Sequence, residues 1–440
     1  VIRAVGQSDS YANLLLPARL SRAGLSGADA ALATELTYGT LRMQGYYDRV
    51  IAIAAGRPVD QIEPPILDVL RLGAHQLLST RVAPHAAVNE SVALARRVGS
   101  RASSGFSNAV LREIGRRSAE EWRTLVRERA LNPDDALAAE YSHPTWVLRA
   151  FRKSLAAEDR GDELVALLEA DNRAPRVNLV ALPGVGERPA GARPDRYSPV
   201  GFMLAGGDPA RLVADRTGGM RVQDEGSQLA ALALTRGREI QPGERWLDMC
   251  SGPGGKAALL AAEAARAGAT VTANEITPAR LELVRKALGD RVSEVELWGR
   301  DGRSIGDTDP DAFDRILLDA PCTGLGALRR RPEARWRKTP RDVSELTVLQ
   351  AELLDSAIRA LAPGGLLAYV TCSPHPAETR LQLNDALVRW EGRVSAVNTS
   401  EILRSVSVAP IDLAGPEQSV QLWPHRHGTD AMFIALLTKS

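Results

Sequence analysis

Three cysteines are the only thiols in the chain, and two of them stand where a thiol can do chemistry. Cys322 follows DRILLDAP and Cys372 follows LLAYVT. Each context reads as a short apolar strand running into a polar turn. A thiol pair facing one cleft suits a two-step reaction on a weak carbon nucleophile such as C5 of cytosine. One thiolate adds at C6, and the ring becomes an enamine whose C5 can attack an electrophilic methyl group. A second group must then remove the surplus proton from C5 so that the first thiol can leave. A carboxylate such as Asp319 can hydrogen-bond the ring and stabilise the adduct. A cysteine with an ordinary pKa of ~8.5 needs an electropositive surrounding or a helix N-terminus to ionise.

The elements that must position these groups lie in residues 237–440. Apolar runs alternate there with helical segments: RWLDM, TVTAN, EVELW, DRILLD and LLAYVTC, separated by stretches such as KAALLAAEAARAG and SELTVLQAELLDSAIRALAPGG. That order predicts an α/β domain with a parallel sheet covered on both faces. RSVSVAP and AMFIALLTK are expected to add edge strands. Ligands of such sheets bind beyond the carboxyl ends of the strands. The first strand runs into Asp248-Met-Cys250-Ser251-Gly252-Pro253-Gly254-Gly255-Lys256, a turn whose glycines let backbone approach a ligand at a helix start. It is neither G-x-G-x-x-G nor a Walker loop. Glu275 ends the second strand, where an acid can accept from ribose hydroxyls, and Arg280 follows it. Asp301 ends the third, where it can accept from an exocyclic amine. Together these suit an adenosyl ligand, either S-adenosylmethionine or a dinucleotide. The two thiols favour the first, since hydride transfer needs neither.

Length and composition set the frame. At 440 residues the chain is long enough for two or three domains. With 44% hydrophobic and 25% charged residues it has globular composition. Three cysteines without a C-x-x-C pair exclude a disulfide framework and a zinc ribbon, and no metal is expected. No apolar run of ~18 residues or signal-peptide core is visible, so a cytoplasmic protein without a membrane segment is expected. The first residue is Val, so the native start is expected to lie upstream.

Residues 1–140 read as all-helical, and residues 141–236 as a smaller α+β segment. Within the latter, YSHPTWVLRAFRKSLA and DELVALLEAD suggest helices, PRVNLVAL a strand, and RLVADRTGGMRVQDEGSQLAALAL a lead into another helix. The net charge of +1 conceals a local concentration of positive charge. Residues 329–341, RRRPEARWRKTPR, carry seven basic residues against one acid. Arg329, Arg330, Arg331, Arg337 and Lys338 are candidates for contacts to RNA phosphates, with Trp336 available for stacking or packing.

D-x-C-S-G-P-G-G-K, D-A-P-C-T-G and Y-V-T-C-S, in that order, resemble the Sun (Fmu) family of RNA 5-methylcytosine methyltransferases. The resemblance covers roughly residues 200–440, including VQDEGSQ. It implies a Rossmann-like class I methyltransferase domain that uses S-adenosylmethionine. Residues 1–140 resemble the helical RNA-binding NusB fold, and the middle segment is similar to the small RNA-recognition-like subdomain of this family. The combination is similar to bacterial 16S ribosomal RNA (cytosine-5)-methyltransferases, which implies a ribosomal RNA partner, and nothing demands more than a monomer. The resemblance makes Cys372 the nucleophile and Cys322 the thiol that assists proton removal and product release. It puts Asp319 near base and cofactor, Cys250 to Lys256 at the methionine end, Glu275 at the ribose and Asp301 near the adenine. The chain departs from the family pattern with Ser251-Gly252 in the turn and Glu275 in place of Asp. A transfer-RNA or 23S cytosine methyltransferase shares this scaffold. A non-catalytic RNA-binding or assembly factor would need neither thiol.

Overall fold

The computed structural model describes residues 1–7, 11–204, 212–213 and 219–440. The chain divides into two compact units. The first comprises Val1–Arg149, Leu164–Ala174 and Leu328–Arg337, and the second Ala150–Glu163, Pro175–Ala327 and Lys338–Ser440. The α+β stretch 141–236 is therefore shared between them.

The first unit is built from helices. Proline opens Pro64–Ser79, Pro84–Val98 and Pro133–Glu140, since its fixed φ suits a first turn whose N–H has no partner. Ser118 starts Ala119–Glu128 through a capping box with Glu121, each side chain accepting from the other residue's N–H. Tyr47, Leu70, Leu111, Ile114 and Trp122 are fully buried at the centre. Burying each such side chain contributes roughly 1.5–3 kcal/mol. The Trp122 indole donates to the Ile114 carbonyl at 2.9 Å, so its polar edge is satisfied.

The second unit holds two sheets. Strands β1 (Asn178–Ala181), β2 (Arg193–Pro194), β3 (Gly201–Met203) and β4 (Met220–Val222) form a small antiparallel sheet in the order β2-β3-β1-β4. It packs on the helix Glu225–Arg236 through Val180, Leu182 and Tyr197. Gln228 of that helix donates to the Leu179 carbonyl at 3.3 Å. Of the segment predicted to lead into this helix, residues 211 and 214–218 lie outside the described residues.

The large sheet carries β5 (Arg245–Asp248), β6 (Thr270–Asn274), β7 (Val295–Trp298), β8 (Phe313–Asp319), β9 (Leu361–Thr371), β10 (Val394–Ala396), β11 (Ser419–Gln421) and β12 (Phe433–Lys439). Its order is β10-β12-β9-β8-β5-β6-β7, with β11 paired to β12. The five strands β5 to β9 are parallel, and β12 is antiparallel to β9. The order reverses between β5 and β8, which opens a crevice at their carboxyl ends. Helices Glu225–Arg236 and Gly255–Ala267 cover one face, and Gly302–Thr308, Pro340–Ala360 and Arg380–Arg389 the other. Both faces of the central strands are thus buried, as their continuous apolar runs require.

One strand assignment is corrected. RSVSVAP begins in a helix, Thr399–Val406, instead of forming an edge strand. The Asn398 side chain caps that helix by accepting from the Glu401 N–H. Leu403 and Val406, three apart, bury its inner face. AMFIALLTK does form β12, but inside the sheet between β9 and β10. Among the described residues no helix is long and apolar enough to cross a membrane.

Candidate active site

The turn after β5 is fixed by its own backbone. Ser251 N–H donates to the Asn274 carbonyl at 2.9 Å, and Gly254 N–H to the Ser251 carbonyl at 2.7 Å. The Gly252–Pro253 peptide is cis. Gly254 has φ +104°, and a Cβ there would come within 2.5 Å of Ala287 Cβ and 2.9 Å of Val284 Cα. Only glycine fits such a position. Gly255 then opens the helix Gly255–Ala267, whose first N–H groups face the turn.

Glu275 and Arg280 brace this turn. Glu275 is 3% exposed, and its Oε1 accepts from the Thr277 N–H at 2.9 Å. Arg280 lies 3.4 Å from Glu275 Oε2 and donates to the Gly252 carbonyl at 2.7 Å. Asp301 caps the helix Gly302–Thr308 through the Arg303 N–H and pairs with the Arg303 guanidinium at 2.6 Å. A ligand amine at Asp301 would share the carboxylate with that arginine.

Asp248 is a residue that the sequence reading did not single out. It is fully buried, no side chain donates to either carboxylate oxygen, and the Cys250 N–H and the Lys256 charge that favour its ionised form are outweighed. Burial, and next the charge of Asp319, push its carboxyl up to about 8. A buried carboxylate beside a glycine turn and a helix start fits a cationic ligand group. The methionine ammonium and sulfonium of S-adenosylmethionine are such groups, so the donor and acceptor set fits this cofactor.

The two thiols meet. Leu318 pairs with Tyr369 and Asp319 with Val370 across β8 and β9, which brings the ends of these strands side by side. Cys322 Sγ and Cys372 Sγ are 3.3 Å apart. The hydrogen bond with Cys372, and then burial, hold the Cys322 thiol well above its usual range. Cys322 therefore keeps its proton in contact with the Cys372 sulfur, and either thiol can be the donor between them. Lys256 Nζ lies 2.7 Å from Asp319 Oδ2. Burial lowers the ammonium's pKa, but Asp319 and, more weakly, Cys372 and Asp248 outweigh it, so the net shift is upward. Lys256 thus supplies a fixed positive charge near the thiol pair. Cys250 differs from both: burial pushes its thiol up, and it packs against the apolar core.

Four further residues complete the floor of this site, and the sequence reading passed over all of them. Glu378 accepts from the backbone and side chain of Thr323 and from Ser373 Oγ at 2.6 Å. Gln350 donates to the Pro321 carbonyl at 2.8 Å. A hydroxyl residue directly after each cysteine was the available signal.

The side chains of the basic run fall into different surroundings. Within the first unit Arg335 is fully buried and donates to the carbonyls of Arg42 (3.2 Å) and Ser142 (2.8 Å) and to Asn172 Oδ1 (2.9 Å). Arg329 is 7% exposed, and Arg337 donates to the Val5 carbonyl at 2.5 Å. Trp336 packs against Gly45, where a Cβ would come within 2.3 Å of the indole. These side chains serve helix packing because helix ends leave carbonyls that need donors. Arg331 is exposed and lies over the Tyr11 ring at 5.4 Å, Arg330 is half-buried, and Lys338 is 3.8 Å from Asp342.

The family described as 16S rRNA methyltransferase RsmB/F matches residues 238–438, and the NusB family matches residues 2–116. A putative methyltransferase of Mycobacterium tuberculosis (strain H37Rv) is 49% identical over all of this chain and 94% of its own length. Ribosomal RNA small subunit methyltransferase B of Erwinia tasmaniensis is 32% identical over 99% of this chain and 96% of its own. The crystal structure of PH0851 superposes with a TM-score of 0.76 at 22% identity, covering 96% of this chain and 93% of that one, which shows a shared fold.

Proposed function

The chain belongs to the RsmB/F family of 16S rRNA methyltransferases, with a NusB-family domain ahead of the methyltransferase domain, and on that premise we propose that it methylates C5 of a cytidine in 16S ribosomal RNA through a covalent bond between Cys372 and C6 of the base. S-adenosylmethionine supplies the electrophilic methyl group in this family. The observation that carries the reading is the 3.3 Å approach of the two thiols beside the Lys256–Asp319 pair.

In this reading Cys250 to Lys256, Asp248, Glu275, Arg280 and Asp301 hold the cofactor. Lys256 places a positive charge near Cys372, and Cys322 lies in contact with its sulfur. Cys372 adds at C6 while Asp319 hydrogen-bonds the ring. Once the Cys372 sulfur is bonded to carbon it no longer carries a negative charge. The main influence that kept the proton on Cys322 is then gone. Cys322 can now lose its proton to solvent water, and the resulting thiolate takes the surplus proton from C5. The C6–S bond breaks, its electron pair returns to Cys372, and the methylated base is released. A 16S substrate implies action in the cytoplasm.

The test is bisulfite sequencing of 16S, 23S and transfer RNA from cells carrying either the wild-type gene or Cys372→Ala. One 16S cytidine should resist conversion with the wild type and convert with the variant. Protection in transfer RNA or 23S instead would reassign the substrate, and protection that survives the substitution would sink the thiol mechanism.

A further inference from the structure

We propose that Glu378 is the positioning residue that sets the approach of the two thiols, a role that rests on the two-thiol reading above. The β8–β9 ladder ends with the Ala320 N–H donating to the Val370 carbonyl, short of both cysteines. Beyond it one backbone bond, from the Gly326 N–H to the Cys372 carbonyl at 2.9 Å, joins the loops that carry the two cysteines, and side chains must fix the residues next to the sulfurs. Glu378, in the short turn Pro376–Glu378, is fully buried and does so. Its Oε1 accepts from the Thr323 N–H at 2.8 Å, and its Oε2 from Thr323 Oγ1 at 2.5 Å and Ser373 Oγ at 2.6 Å.

Thr323 directly follows Cys322, and Ser373 directly follows Cys372. One carboxylate therefore grips the neighbour of each reacting sulfur. The grip is itself anchored. Tyr369 OH donates to the Glu378 carbonyl at 2.9 Å. Gln350 Nε2 reaches both Glu378 Oε1 at 3.3 Å and the Pro321 carbonyl at 2.8 Å, so Cys322 is held on both sides. A carboxylate is acceptor-only, so both hydroxyls must point their protons at it, which fixes both loops at once. Its charge also adds to what keeps the proton on Cys322. The arrangement is costly, because a buried carboxylate needs every one of these donors. A purely structural need at this place would be met as well by neutral groups.

Two variants test this. Glu378→Gln keeps shape and removes charge, and Ser373→Ala removes only the Cys372 arm with no change of charge. Each should lower kcat by about 10–100-fold, the cost of a small misplacement of reacting groups. KM for S-adenosylmethionine and RNA should stay within about twofold. A readout independent of turnover is the equilibrium with glutathione, in which oxidised glutathione takes two electrons from the Cys322–Cys372 pair and leaves a protein disulfide and two reduced glutathiones. The effective concentration of one thiol at the other should fall about tenfold in both variants. An unchanged glutathione equilibrium, or wild-type kcat, in both variants would overturn the proposal. Normal turnover by Cys372→Ala would instead overturn the two-thiol reading, and the glutathione equilibrium would still decide whether Glu378 clamps the pair.

Discussion

Replacing Asp248 with asparagine should make the cofactor-free protein more stable near neutral pH while weakening its hold on S-adenosylmethionine. The carboxyl is fully buried, and burial and the Asp319 charge push it up to about 8 from 3.8 despite the Cys250 N–H and the Lys256 charge. Its folded pKa is raised, so the sign is opposite to that of a salt-bridged acid. Below the unfolded pKa both states are protonated and the group costs nothing. As pH rises above that, the unfolded chain ionises while the folded chain keeps its proton, and stability falls by about 1.4 kcal/mol per pH unit. At pH 7 the accumulated cost is about 4 kcal/mol. Asparagine removes this cost but buries an amide without partners, at about 1–3 kcal/mol. The net gain at pH 7 is then about 1–3 kcal/mol, and it vanishes toward pH 5. Urea unfolding of the cofactor-free protein at pH 5 and pH 7 measures it. The wild type should lose about 2–3 kcal/mol more than the variant between those two pH values. Calorimetry should show cofactor binding weakened about 10–100-fold in the variant, since a charged partner is lost. Stability curves that run parallel within about 0.5 kcal/mol would refute the account of a strained, buried carboxyl.

Cys322→Ala should permit the Cys372–C6 bond but hinder its release, so a protein–RNA adduct should survive a denaturing gel; a clean gel alongside normal turnover removes Cys322 from the release step. Arg335→Ala should destabilise the helical unit by about 3–5 kcal/mol, because three buried acceptors lose their donor, and Arg335→Lys should not rescue it, since one ammonium cannot reproduce the guanidinium fork. Unfolding followed by hydrogen exchange in residues 42–55 reads this, and a loss below about 1 kcal/mol argues against the packing role. Arg331→Ala should leave stability unchanged and flatten the salt dependence of RNA binding by about 0.7 log units if that exposed side chain meets a phosphate. An unchanged slope returns it to its stacking contact with Tyr11.

The sequence discloses groups whose chemistry is local. The glycine turn, the acids at successive strand ends and the two cysteines each follow directly from a strand's last residue, and the parallel order of β5 to β9 then brings them together. Glu378 was invisible for the opposite reason. Its partner Thr323 lies fifty-five residues away, and nothing about an isolated glutamate in PHPAE tells which hydroxyls it will meet. Asp248 stands at the head of the glycine turn in the sequence, but only the fold shows that its carboxyl is fully buried. Charge counting does not separate the members of the basic run: Arg335 and Arg337 meet backbone carbonyls that no sequence pattern marks, while Arg331 stays exposed. RSVSVAP has the β-branched residues of a strand, yet its first three residues complete the helix that the Asn398 cap starts and the rest leave it without forming a strand.

The split membership of the helical unit has a consequence for synthesis. Its helices through Arg149 leave the ribosome long before Leu328–Arg337, the stretch that supplies Arg335 to the carbonyls of Arg42 and Ser142. At ordinary translation speeds that interval is roughly 10–40 s. Throughout it the carbonyls of Arg42 and Ser142 lack the Arg335 donor, and the packing of the unit is completed only once four of the eight strands of the large sheet, β5 to β8, have been made. The amino-terminal unit is therefore first in sequence yet has its last segment only at Arg337. A fragment cut at residue 149 would remain in that unfinished state.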